Sequence, residues 1–126
     1  MLERILYQST PTQEFGSLAL FKLLTDAQHR NVQLEITGHL LFVNGQFTQC
    51  MEGPPDSIEL LWQTIQRDPR HQHIQLLMRR ATDKRRFPEW SMAFSTYSTL
   101  YVHGMRGFFP VDAESQSPLI GLCHEA

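Results

Sequence analysis

Two polar side chains, Tyr7 and Gln49, lie in segments that otherwise resemble apolar β-strands, and together they could hold and move a proton. A phenol donates one hydrogen bond, whereas a carboxamide donates at one end and accepts at the other. Burying the Gln49 amide without partners would cost on the order of 1–3 kcal/mol for each unsatisfied group, so partners are expected. On spacing alone, a Tyr–Gln hydrogen bond inside an ordinary core and a ligand-binding site remain equally open.

A predicted hairpin fixes the position of Gln49. Asn44 and Gly45 join two apolar runs, and this dipeptide favours a two-residue type I′ turn because both central residues need positive φ. Such a turn sets Leu40 opposite Gln49, and residues directly opposite share a face. The shared face then consists of Gly38, Leu40, Phe42, Phe47, Gln49 and Met51. Within this set, only Gln49 has polar hydrogen-bonding groups in its side chain.

The strands at the two ends of the predicted fold can supply partners for Gln49. Tyr7 alternates with Ile5 on the first strand, and Trp90 and Met92 alternate with Phe94 on the last. Because alternate residues of a strand point to the same face, either strand could bring these side chains next to the amide.

The remaining pattern predicts the element order β-α-β-β-α-β-β. Two helices follow from apolar residues at three- and four-residue spacing, and Asp56 with Glu59 resembles a capping box at the start of the second. The predicted strands are 2–9, 36–43, 46–52, 74–80 and 90–95, and the predicted helices are 15–30 and a second that starts near residue 56 and stops before Asp68-Pro69. This order favours an α+β, ferredoxin-like fold, in which two helices cover one face of a mixed sheet.

Other polar residues have ordinary structural explanations. Asn31 follows the first predicted helix, and asparagine tolerates the left-handed conformation that ends helices. Arg30 places a favourable charge at that helix end, although its planar guanidinium could also stack on an aromatic ligand. His71 and His73 share one side of a strand, but no cysteine or paired carboxylate lies near them, so no metal site is predicted.

Composition limits the function classes further. The 126 residues fit one domain, and 11 basic against 13 acidic residues give no general attraction to nucleic acid. The basic cluster of residues 79–80 and 84–86 is interpreted as a solvated turn. No signal peptide or membrane span is present, so a cytoplasmic location without membrane contact is expected. No phosphate loop, nucleophile elbow or His-Glu-x-x-His motif indicates nucleotide-driven or hydrolytic chemistry.

The last segment, residues 96–126, differs in character from the rest. Glycines and prolines break up its apolar groups, and one or two short helices with a frayed end are expected. Exposed Phe108 and Phe109 would be costly in a monomer, so this extension is expected to cover the helix-free face of the sheet or to meet a partner, including another copy of the chain.

Five spaced motifs follow one another along the chain. They are Tyr7-Gln8-Ser9, Arg30-Asn31 leading into Ile36-Thr37-Gly38, the run 47–54, Asp68-Pro69-Arg70-His71, and the run 86–92. Together they resemble the BLUF family of blue-light sensors that use FAD. The resemblance covers residues 2–95 in the right order. It implies a flavin-binding domain over residues 1–95, with FAD, or alternatively FMN, lying between the two helices against the sheet.

The resemblance implies a photoactive role for four residues. Tyr7 occupies the position of the redox-active tyrosine of the family, and Gln49 that of the switching glutamine between tyrosine and flavin. Trp90 and Met92 match the positions that relay the change at the glutamine into the last strand. Light absorbed by the flavin would draw an electron from Tyr7 and a proton through Gln49, and the signal would pass to a partner.

The resemblance implies cofactor binding for a second set of residues. Asn31 matches the side chain that bonds the flavin ring. Asp68, Arg70 and His71 fall in a second segment that faces the flavin, and Arg30 stands where some members carry histidine.

Two other functions remain open at this stage. A flavin-dependent oxidoreductase would need access for a nicotinamide or substrate, and no dinucleotide fingerprint supports it. A cofactor-free interaction module could also keep this fold. The sequence favours a sensor that is not an enzyme.

Overall fold

A computed structural model describes residues 1–13, 16–89 and 91–95. Its elements are β1 (Leu2–Pro11), α1 (Ser17–Gln33), β2 (Thr37–Val43), β3 (Gln46–Gly53), α2 (Pro55–Arg67), β4 (His71–Thr82) and β5 (Ala93–Ser95). The predicted order β-α-β-β-α-β-β is confirmed. Trp90 and the extension 96–126 lie outside the described residues.

The five strands form one mixed sheet in the order β4-β1-β3-β2-β5. The first four pair antiparallel with their neighbours, and β5 runs parallel to β2. This is the ferredoxin-like arrangement with one strand added at the β2 edge. It places β1 and β3 side by side in the middle, where the sheet is best covered.

The β2–β3 hairpin has the predicted register. Asn44 and Gly45 adopt φ values of 54° and 70°, the positive pair that a type I′ turn requires. Leu40 therefore pairs with Gln49. Gly38 is also constrained, because a Cβ there would lie 2.2 Å from the carbonyl oxygen of Cys50.

The start of α2 differs from the prediction. Its N-cap is Pro54, no side chain caps the helix, and Pro55 occupies the first turn. Proline fits there because its fixed φ suits a helix and its missing N–H would have no partner anyway. Glu59, the expected second half of a capping box, instead accepts hydrogen bonds from Gln63 at 2.8 Å and Arg79 at 2.9 Å.

The end of α1 also differs. The helix continues through Asn31 to Gln33, and Glu35, with φ of 58°, is the residue that leaves the helical region. The interpretation of Asn31 as a helix terminator was wrong. Its side chain is fully buried, which a terminator does not require.

The two edge strands have different lengths from those predicted. β4 spans 12 residues rather than seven, and β5 spans three rather than six. The β1–β4 register shifts between Leu6 and Tyr7 and again between Gln8 and Thr10. His73 has a φ of 52° near the second shift, consistent with a bulge that bends the edge.

Apolar side chains pack on both faces of the sheet. The helices cover one face, with α1 over β2, β3 and β5 and α2 over β1 and β3. The first group is Leu20, Leu24, Ala27, Leu40, Phe42, Phe47, Met92 and Phe94, and the second is Ile5, Tyr7, Ile36, Met51, Ile58, Leu61 and Ile65. A smaller cluster lies on the helix-free face and consists of Leu6, Leu41, Cys50 and Phe87.

His39 makes the stability of the fold depend on pH. It is buried on β2, with its ring centroid 5.5 Å from that of Phe87, and burial lowers its pKa from 6.5 to about 4. The folded chain therefore keeps His39 neutral while the unfolded chain protonates it, so this contribution to stability is full above pH 6.5 and is lost as the pH falls toward 4. Lowering the pH from about 7 to about 5 should cost about 2 kcal/mol through this group.

Urea unfolding of the wild type and of His39→Phe at these two pH values checks this expectation. The variant should lose less stability on acidification, whereas His29→Gln, a change at an exposed histidine of α1, should behave like the wild type. An unchanged pH dependence in His39→Phe would show that other groups cause it.

Candidate functional site

Tyr7 and Gln49 lie directly opposite each other on β1 and β3. The Tyr7 hydroxyl donates a hydrogen bond to Gln49 Oε1. Gln49 Nε2 lies 3.6 Å from Met92 Sδ and donates to it. The three residues form a continuous chain of contacts from β1 through β3 to Met92, which directly precedes β5.

Tyr7 is enclosed on the side of α2 by other rings. Its centroid lies 5.5 Å from that of Trp62 and 6.3 Å from that of His71, which meets it edge-on. The residue is only 4% exposed. Burial raises the pKa of Tyr7 against the opposing positive charge of Arg30, so the phenol keeps its proton in the resting state.

His71 fastens the end of α2 to β1. One ring nitrogen, Nε2, lies 2.6 Å from the carbonyl oxygen of Ile65, and the other, Nδ1, lies 2.8 Å from Ser9 Oγ. A carbonyl can only accept, so Nε2 carries the hydrogen, and in the neutral ring Nδ1 accepts from the Ser9 hydroxyl. His71 is thereby held against the Tyr7 ring.

A cleft that is open to solvent lies between α1 and α2 above Tyr7 and Gln49. Its lining residues are Tyr7, Leu23, Asp26, Ala27, Arg30, Leu40, Phe47, Gln49, Ile65, Asp68, Arg70 and His71. Apolar residues make up much of the wall, the Tyr–Gln pair lies at the sheet, and four charged residues complete the lining.

Two of those charged residues form a close ion pair. Arg70 Nη2 lies 2.6 Å from Asp68 Oδ2, and Arg70 Nε lies 3.0 and 2.9 Å from the two carboxylate oxygens. Burial tends to raise the pKa of Asp68, but the hydrogen bonds from the Arg70 side chain and backbone outweigh it and lower the pKa. Asp68 therefore stays ionised and orients the guanidinium at the cleft.

Asn31 is placed differently from the other expected binding residues. It is fully buried and does not line the cleft. Its Nδ2 donates to the backbone oxygen of Ser91 at 2.7 Å, and its Oδ1 accepts from Arg30 Nε at 3.4 Å. In this arrangement Asn31 holds the segment that precedes β5.

The structure thus brings most of the sequence-predicted residues to one place. The lining includes Tyr7, Arg30, Gln49, Asp68, Arg70 and His71. Met92 reaches the site through Gln49, Asn31 lies behind it, and Trp90 is outside the described residues. Trp62 was not among the predicted site residues, because its contact with Tyr7 depends on how α2 lies across β1.

Metal and membrane sites receive no support from the described residues. Within 1–13, 16–89 and 91–95, no group of three or more His, Cys, Asp or Glu side chains could hold a metal ion. None of the described helices combines the length and apolar character needed to cross a membrane.

Residues 2–93 match the protein family described as sensors of blue-light using FAD, abbreviated BLUF. This chain belongs to the BLUF family. The BLUF chain is accordingly a blue-light sensor whose cofactor is the flavin FAD.

Similar proteins include both short and long BLUF proteins. Photoactivated adenylate cyclase subunit beta of Euglena longa is 37% identical over 100 residues, which are 79% of this chain and 12% of that protein. The dark-state structure of the BLUF protein BlrB is 33% identical with a TM-score of 0.71, and 74% of this chain matches 70% of it. Klebsiella pneumoniae BlrP1, solved with FMN and cyclic diGMP, is 37% identical with a TM-score of 0.69, and 75% of this chain matches 25% of it.

The BLUF chain spans about an eighth of the length of the cyclase relatives it matches. The family model describes a sensor module, and the similar proteins that contain it differ greatly in length.

The residues of the cleft fit a flavin. A flavin has a flat, largely apolar ring with hydrogen-bonding groups along one edge, and its chain ends in phosphate. Leu23, Leu40 and Ile65 offer apolar contacts. Gln49 offers an amide at the sheet, and the guanidinium of Arg70 suits an anion.

Proposed function

We propose that Tyr7 and Gln49 form the light-operated switch of this BLUF sensor, that Met92 passes on its output, and that the chain itself catalyses no reaction. The observation that carries this proposal is the continuous contact from the Tyr7 hydroxyl to Gln49 Oε1 and from Gln49 Nε2 to Met92 Sδ, next to the cleft.

Tyr7 is the electron and proton donor in this proposal. On absorbing blue light, a bound flavin supplies a strong acceptor for one electron. Tyr7 lines the cleft and can supply that electron. A phenol that loses an electron becomes strongly acidic, and the Tyr7 proton has an acceptor in Gln49 Oε1. Because burial otherwise raises the pKa of Tyr7, the proton leaves along this hydrogen bond only when the electron has gone. Electron and proton then both return to Tyr7, so the phenol is restored and the reversed amide of Gln49 is the net change.

Gln49 converts the proton movement into a changed hydrogen-bond pattern. Its amide donates at one end and accepts at the other, so rotation or tautomerisation reverses the pattern without moving a net charge. In the resting arrangement the oxygen faces Tyr7 and the amino group faces Met92. When the Gln49 amide reverses, its oxygen takes the place of the amino group beside the Met92 sulfur. The Met92 side chain must then repack beside β5.

The cofactor-binding residues take separate roles. Arg30 and Arg70 provide guanidinium groups for stacking or for phosphate, and Asp68 orients Arg70. His71 fixes the position of the Tyr7 ring. For the flavin ring, Asn31 has a second Nδ2 hydrogen and a second Oδ1 lone pair, beyond the bonds that it makes to Ser91 and Arg30.

The output leaves the flavin-binding unit, residues 1–95, through β5 and the extension 96–126. The names of the relatives couple light to other activities, such as adenylate cyclase. We infer that this chain acts on a partner protein or on further copies of itself in the cytoplasm, with the extension as the contact.

Purification in the dark tests the cofactor and the absence of turnover together. The protein should retain FAD, or FMN in its place, as oxidised flavin, and anaerobic NADH should not bleach it, since no site for a nicotinamide is predicted from the sequence. Bleaching by NADH would indicate an oxidoreductase, and a colourless protein that takes up no added flavin would indicate an interaction module.

A further inference from the structure

The connection between β4 and β5, residues 83–92, delivers Met92 to Gln49 and is fastened at both of its ends. Its described parts are 83–89 and 91–92. One fastening lies at the sheet and depends on Glu52 and Arg85. The other lies on α1.

Glu52 holds the connection through its carboxylate. The backbone N–H of Arg86 donates to both Glu52 oxygens, at 2.7 and 2.9 Å, and that of Phe87 donates to Oε1 at 2.9 Å. Arg4 Nε adds an ion pair to Oε2 at 2.9 Å. Glu52 is fully buried, and a buried charge is tolerated only when it is paired and hydrogen-bonded in this way.

Arg85 fastens the same part of the connection from the opposite direction. Its Nη1 donates to Thr37 Oγ1 at 2.8 Å and to the backbone oxygen of Glu52 at 2.9 Å. Its Nη2 donates to the backbone oxygen of Glu35 at 2.8 Å. One guanidinium therefore ties the connection to β2, to β3 and to the turn after α1.

The far end of the connection is held by two amides of α1. Asn31 Nδ2 donates to the backbone oxygen of Ser91 at 2.7 Å, and Gln28 Nε2 donates to that of Met92 at 3.0 Å. Only residues 88–90 lie between the two fastenings. Any displacement of Met92 must be absorbed within this short span or must break one of these hydrogen bonds.

We propose that Glu52 and Arg85 are positioning residues that set the energy barrier of the switch by fixing the connection that carries Met92. We call the contacts of Glu52 and Arg85 with the connection the clamp. Glu52 lies three residues beyond Gln49, so β3 carries both the Gln49 amide and part of the clamp. The inference rests on the proposed function of Gln49 and Met92.

The physical reason is that a short segment fixed at both ends has few arrangements. Met92 then changes between two packings only by straining the segment, which slows both the change and its reversal. Releasing the sheet end lets the connection move with Met92 and lowers the barrier. The hydrogen bond between Tyr7 and Gln49 lies outside the connection, so the lit state should still form but decay faster.

The test compares dark recovery of the light-induced spectral shift in the wild type, Glu52→Gln and Arg85→Gln. Both variants should bind flavin and show the shift, with recovery about tenfold faster, the equivalent of about 1.4 kcal/mol in the barrier. Glu59→Gln is the matched control, because Glu59 also pairs with an arginine, Arg79, but its side chain is 49% exposed and far along the chain from the connection. It should recover at the wild-type rate.

Glu52→Gln also removes the counterion of buried Arg4 and could fail to fold, but Arg85→Gln leaves no buried carboxylate without its charge partner and keeps the test decisive. Hydrogen exchange of the Arg86 and Phe87 amides in the dark gives a second readout, which should be faster in Arg85→Gln than in Glu59→Gln.

Recovery within about twofold of wild type in Arg85→Gln, together with faster exchange at Arg86 and Phe87, would overturn the inference, because the clamp would then be released without effect on the switch. Unchanged exchange would overturn it as well, since Arg85 would not be holding the connection. If the wild type itself shows no shift, the proposed function fails and not only the clamp.

Discussion

Tyr7→Phe should retain the flavin and lose the light-induced red shift completely. Phenylalanine keeps the ring that packs against Trp62 and His71, so the shape of the cleft is preserved. It removes the hydroxyl that donates to Gln49 Oε1, and with it both the electron donor and the proton. The loss of this bond also leaves the Gln49 carbonyl without a donor, at a cost of about 1–3 kcal/mol in stability.

The measurement is the absorption spectrum of the flavin-loaded variant before and during blue light. Trp62→Phe is the matched control, because Trp62 contacts the same ring but does not line the cleft. The control should keep the red shift. A shift of normal size in Tyr7→Phe would exclude Tyr7 as the donor.

Gln49→Leu should have an equally large effect for a different reason. Leucine fills a similar volume next to Leu40, but it can neither accept the Tyr7 proton nor donate to Met92. Without a residue that reverses its donor and acceptor ends, the hydrogen bonding of the flavin cannot be rearranged. The variant should therefore bind flavin and show no red shift.

Light-minus-dark spectra of Gln49→Leu check this expectation, with Gln8→Leu as the control. Gln8 lies one residue beyond Tyr7, where its side chain is on the other face of the sheet and bonds Thr48 Oγ1 at 3.3 Å. Gln8→Leu should photocycle like the wild type. Persistence of the full cycle in Gln49→Leu would mean that the proton and the signal take another route.

The part of the site that could be predicted from sequence is the part that local rules determine. Asn44-Gly45 requires one turn type, that turn sets the register, and the register puts Gln49 opposite Leu40 on the helix-covered face. The pairing of Gln49 with Tyr7 then follows from a ferredoxin-like strand order, in which the first and third strands are neighbours.

What could not be predicted depends on contacts between distant elements. Asn31 has the residue type of a helix terminator, but a hydrogen bond to Ser91, 60 positions away, accounts for its burial inside α1. Glu52 follows an apolar run and shows no motif, because its partners Arg86 and Phe87 meet it through their backbone N–H groups. Every residue except proline has a backbone N–H, so the side-chain pattern of a sequence cannot indicate which of these groups will be the partner.

The helix start at Pro55 is an intermediate case. Asp56 and Glu59 have the types and the spacing of a capping box, but the N-cap is Pro54, so the preceding prolines start the helix two residues earlier. Glu59 is then drawn to Arg79 on β4, a partner that only the packing of α2 on the sheet provides.

The most direct test of the light-switch account is a light-minus-dark absorption spectrum of the wild-type protein loaded with FAD. We expect a red shift of the oxidised flavin bands under blue light that reverts fully in the dark, with no net reduction of the flavin. Bleaching of those bands, or a spectrum that blue light leaves unchanged, would contradict the assignment of Tyr7 and Gln49 as a hydrogen-bond switch.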